Sequence, residues 1–73
     1  MTRAYTAVIE LEDDMYVALC PELDIASQGA TVEQAKENLT EAVELFLEAA
    51  DDSEILRRTH SDAYVARFEV SVG

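Results

Sequence analysis

Between Thr31 and Ala50 the chain carries one long run of apolar residues at helical spacing. Val32, Ala35, Leu39, Ala42, Val43, Phe46 and Ala50 fall on one stripe, and Glu33, Lys36, Glu37, Glu41, Glu44 and Glu48 take the opposite face. This is the 3.6-residue period of an amphipathic helix. Thr31 suits the N-cap, with Gln34 three residues on to complete a capping box. A lone long helix cannot bury its own stripe. With no second helix of comparable length in 73 residues, the cover must be a sheet.

The flanking segments have the period of strands. From Ala4 to Glu12, Tyr5, Ala7, Ile9 and Leu11 face one way, and Thr6, Val8 and Glu10 the other. Asp13-Asp14 breaks the pattern as a turn, and Met15 to Cys20 resumes it, which makes a hairpin. Pro21 ends the second strand because it has no N–H for a ladder. Leu23 to Gln28 reads as a short third strand, with Gly29 as a turn glycine at positive φ before the helix. Asp51-Asp52-Ser53 is expected to end the helix, an unfavourable place for acids beside the negative end of the macrodipole. Glu54 to Thr59 suggests a brief second helical turn. Ala63 to Val72 alternates again, with Tyr64, Ala66, Phe68, Val70 and Val72 on one side.

The expected fold class is therefore α+β, a single domain over residues 1–73. It is a small three- to four-stranded sheet with one long helix on a face, in the order β-β-(β)-α-β. A last strand after the crossover helix is expected to lie parallel to the first through a right-handed connection. Such a short chain has a small core, for which oligomerisation is a common remedy.

The net charge of −11 repels phosphate backbones and argues against direct binding of DNA or RNA. Two readings of it stay open: steering toward a basic partner, or solubility and adaptation to a salty cytoplasm. No stretch approaches the length of a membrane span, and the first residues show no apolar signal region. With Cys20 as the only cysteine, a cytoplasmic location is expected.

Chemistry-bearing groups are sparse. His60 is the only histidine and has no second ligand at metal spacing, so no metal site is assigned. Cys20 lies at the end of an apolar strand among carboxylates, which suits a buried, inert thiol rather than a nucleophile. The acids lie on the helix face or in the Asp13-Asp14 turn and form no catalytic pair. Asn38-Leu39-Thr40 matches a glycosylation sequon mid-helix and is read as chance. The residues imply no enzyme and no cofactor, only an acidic α/β interaction domain.

The order of motifs adds a resemblance. Tyr5-Thr6-Ala7-Val8-Ile9-Glu10 is followed by Tyr16-Val17-Ala18-Leu19-Cys20-Pro21-Glu22-Leu23 and Ser27-Gln28-Gly29-Ala30-Thr31. The helix Glu33-Gln34-Ala35-Lys36-Glu37-Asn38-Leu39 comes next, with Glu41-Ala42 and Glu44-Leu45 after it. Over residues 4–50 this resembles the amino-terminal domain of HicB-like antitoxins. Where the family often has a proline and a glycine, the chain has Asp24-Ile25. The resemblance implies a truncated ribonuclease-H-like fold without a working active site, and assembly into dimers or larger oligomers. It also implies a partner: a small basic HicA-type toxin that cleaves messenger RNA. The DNA-binding module that many members carry is not expected here. The contact surface expected on this basis comprises Pro21, Glu22 and Gln28 in the Pro21–Gly29 loop, with Glu33, Glu37, Glu41 and Glu44 on the helix. The bland alternative for the acids is a solvated face. The alternative for the whole chain is an orphan oligomeric scaffold or a small-ligand-binding domain.

Overall fold

The computed structural model describes residues 3–59 and 63–73. Its sheet is three-stranded and antiparallel in the order β1-β2-β3, with β1 at Val8–Glu12, β2 at Met15–Cys20 and β3 at Ile25–Gly29. The helix α1 runs over Val32–Ala49, and α2 over Asp52–Arg58. The molecule is thus α+β, and among the described residues no helix is long and apolar enough to cross a membrane.

Register fixes which side chains meet the helix. Ile9 pairs with Ala18 and Leu11 with Tyr16, while Ala18 pairs with Ser27 and Cys20 with Ile25. Directly opposed residues share a face, so Ile9, Tyr16, Ala18, Cys20 and Ile25 point toward α1. Ala35, Leu39 and Val43 come down from α1 to meet them, and with Ala18, Cys20 and Leu23 they form the buried core. Among the described residues, only Leu23 and Cys20 are sizeable side chains that are wholly enclosed. The far face, with Val8, Met15 and Val17, is half-exposed and uncovered by any helix.

Aspartates make both tight turns. Asp13, in the β1–β2 turn, has φ 54°, and Asp24, in the turn over residues 21–24, has φ 56°. Asp tolerates the left-handed region because its short polar side chain bonds locally. That settles the segment where Asp24-Ile25 departs from the HicB-like pattern. The expected Pro21–Gly29 loop is a four-residue turn followed by β3.

Gly29 has a different role from the one expected. No glycine has positive φ. Instead, a Cβ at Gly29 would lie 2.5 Å from the Ala35 amide nitrogen and 2.8 Å from the Gln34 carbonyl carbon. The first turn of α1 sits directly on this strand end, and only a residue without a side chain lets it approach.

The start of α1 follows its sequence. Thr31 Oγ1 accepts from the Gln34 N–H at 3.0 Å, and Gln34 Oε1 accepts from the Ala30 N–H at 2.9 Å. The box therefore closes one residue earlier than the usual N-cap amide. Asn38, read as part of a chance sequon, donates to the Gln28 carbonyl at 2.8 Å and ties α1 to the end of β3.

Two expectations at the far end are corrected. Asp51-Asp52-Ser53 does more than end a helix. Asp51 is the N-cap of α2 and accepts from the Glu54 N–H at 2.8 Å, with Asp52 and Glu54 in the first turn and Arg57 and Arg58 in the last. The acids therefore face the positive end of a new helix. The last expected strand, Ala63 to Val72, is absent as a strand: residues 63–73 have no regular secondary structure and join no sheet. Alternation describes a segment that could pair, and pairing needs a free ladder in register. Among the described residues, no strand lies parallel to β1. His60 lies outside the described residues.

Candidate functional site

Two surfaces stand out, and they meet at Glu44. The first is the outer face of α1. Glu33, Glu37, Glu41 and Glu44 are all exposed. Steps of four, four and three residues stack them along one side of the helix over about 17 Å. Glu48 extends the exposed acids by one turn.

The residues expected to join that stripe are placed elsewhere. Gln28 pairs with Val17 across the ladder, next to the inward-facing Ala18–Ser27 pair, so its side chain lies on the sheet face away from α1. Pro21 and Glu22 are half-buried in the β2–β3 turn. The Glu22 carboxylate is engaged within the fold. It accepts from the Thr6 N–H at 3.0 and 3.1 Å and from Thr6 Oγ1 at 2.7 Å. Partial burial disfavours its charge, but the bonds from the Thr6 hydroxyl, its own amide and the Thr6 amide outweigh that and hold the carboxyl below the usual 4.5. Glu22 thus moors the segment leading into β1 to the turn after β2. Cys20 donates to the same carboxylate at 3.5 Å. Burial, more than the neighbouring carboxylate, pushes its thiol up, which suits an inert core residue.

The second surface was not anticipated. An open groove of about 970 Å³ runs between the segment entering β1 and the flanks of α1 and α2. Tyr5, Ala7, Leu39, Val43, Leu47 and Ile55 give it an apolar lining, with Arg3, Lys36, Glu44 and Asp52 toward its margins. It exists because α1 packs chiefly over β3 and β2 and barely reaches β1. Alternation alone cannot reveal such an offset. Its one hint in the sequence is the surplus of apolar residues, Leu47, Ile55 and Leu56, beyond those a three-stranded sheet covers.

Arg58 fixes the far wall of the groove. Its Nη2 donates to the Leu23 carbonyl at 3.0 Å and the Asp24 carbonyl at 3.3 Å, and its guanidinium lies 5.2 Å from the centre of the Phe46 ring. Among the described residues no group of three or more His, Cys, Asp or Glu side chains gathers at metal-binding distance.

A small acidic sheet-and-helix domain of this kind has known relatives. A UPF0150 protein of Helicobacter pylori is 33% identical over 66 residues, covering 89% of this chain and 92% of its own. A UPF0150 protein of Synechocystis is 43% identical over 60 residues, covering 80% and 81%. A second one from Synechocystis is 49% identical over 47 residues, a match spanning 62% of this chain and 60% of that relative's length. The chain belongs to the UPF0150 family. No family model matches it. No solved structure matches it either.

Proposed function

We propose that this protein is an antitoxin of the HicB-like type, which binds and neutralises a small basic HicA-type toxin that cleaves messenger RNA. The observation that carries the reading is the exposed row of Glu33, Glu37, Glu41 and Glu44 on a chain of net charge −11. A protein surface that holds RNA is basic, and an acidic helix face competes for it through charge complementarity. The resemblance of residues 4–50 to HicB-like domains points the same way. The β2–β3 turn at Pro21 and Glu22 and the Gln28 side chain belong to the proposed contact region. Because they lie off the acidic row, the partner would have to wrap around the domain.

The reading carries further parts. The protein acts in the cytoplasm, as an oligomer, without catalysing a reaction or holding a cofactor. Its fold is a truncated ribonuclease-H-like one. Its charge disfavours DNA or RNA as a direct ligand of this domain. The rival reading, an orphan oligomeric scaffold or small-ligand binder, draws on the apolar groove beside β1. Co-expression with a small basic HicA-type toxin separates the two. Relief of growth arrest and a co-purifying complex are expected; persistent arrest with no complex contradicts the antitoxin reading.

A further inference from the structure

Three features of the carboxy-terminal half belong together. Residues 64–73 are exposed throughout, with Tyr64 at 86%, Phe68 at 84% and Val72 at 89% of full exposure. Aromatic and branched side chains alternating along such a segment make a poor tail and a good strand. The Cα radius of gyration is 14.3 Å, against about 11 Å for a folded chain of this length. The long axis reaches 50 Å while the others are 27 and 19 Å. The segment thus stands off from the body as an arm.

The body, in turn, has an unfinished side. β1 is an edge strand, so alternate residues direct N–H and C=O groups away from β2 without a ladder partner. Leu11, on that strand, is 60% exposed. The apolar groove adjoins that edge at the segment entering β1, through Tyr5 and Ala7, and is walled by Leu39, Val43 and Leu47 of α1. An exposed edge strand beside apolar surface is a template for strand addition. The other edge, β3, lies under the helix.

We infer that residues 63–73 of one copy form a fourth strand on the β1 edge of a second copy, seated in its groove, with the exchange made reciprocally in a two-fold dimer. Tyr64, Phe68, Val70 and Val72 turn inward under α1, and Arg67 and Glu69 turn out to water. The area fits. Tyr64 and Phe68 each bring about 150–250 Å² of surface to a contact. Two reciprocal arms with their valines therefore enter the range of about 1,200–2,000 Å² that stable interfaces bury. Reciprocity closes the exchange, since each β1 edge receives one arm. It also supplies apolar burial that the small core of one chain lacks.

The test uses the full chain. Sedimentation equilibrium should give twice the chain mass, and NMR on a mixture of differently labelled copies should show contacts between Phe68 or Val70 of one copy and Tyr5 or Val43 of the other. Phe68→Glu with Val70→Glu should raise the dimer dissociation constant at least 100-fold while the far-ultraviolet dichroism of the body stays. A monomer whose arm contacts its own groove overturns the inference. So does a dimer in which the arm makes no contact with the other copy's groove. The contacts in the unmodified protein decide the matter even if the double variant fails to fold.

Discussion

At the scale of single residues, the fold rests on a few polar side chains that bridge segments far apart in sequence. Glu22 is one, holding Thr6 through three hydrogen bonds. Because its folded pKa is depressed, the stability it contributes is present above pH 4.5 and is lost as pH falls through the lower, folded value. The stability difference between the unmodified protein and Glu22→Gln, measured by urea unfolding, should be positive at pH 7 and shrink below pH 4.5. A difference that does not change as the pH is lowered would mean that the carboxylate's charge is not what holds Thr6. None of this was legible in the sequence. Glu22 reads there as a partner contact in the Pro21–Gly29 loop, because a bond between residues 6 and 22 depends on hairpin register and not on local spacing. Gly29 was misread for a related reason: turn and close approach both call for glycine, and only the position of α1 tells them apart.

At the scale of elements, local chemistry was the better guide. The Thr31–Gln34 cap, the Asp13-Asp14 turn and the whole of β2 lie where spacing and propensity put them. The acids of the candidate site were equally readable, since four-residue steps on a helix define a row without tertiary knowledge. The Asp51-Asp52-Ser53 cluster was ambiguous because a helix end and the next helix's start share the same residues. α2 itself depends on Arg58, which joins it to the turn at Leu23 and Asp24 and stacks on Phe46. Arg58→Ala should cost about 1–2 kcal/mol, read as a lower urea midpoint at unchanged m, with faster hydrogen exchange in α2. Arg58→Lys should recover little of that loss, because a point charge neither forks to two carbonyls nor stacks as a planar group does.

At the scale of the whole molecule, the chain has one acidic face and one unfinished edge, and they do different work. On the readings proposed above, the edge beside β1 takes a second copy and the outer face of α1 meets a partner of opposite charge. An antitoxin needs both: a stable acidic body, and rapid capture of its toxin. Steering by charge is screened over about 10 Å at 0.1 M salt, so the row of glutamates makes a kinetic prediction. The most direct measurement is the association rate with a small basic HicA-type toxin at low and at physiological salt, for the unmodified chain and for a variant with Glu33, Glu37, Glu41 and Glu44 all changed to Gln. The account predicts at least a tenfold fall in rate with salt for the unmodified chain, and a much flatter dependence for the variant. Equal rates and equal salt dependence for the two proteins would contradict it.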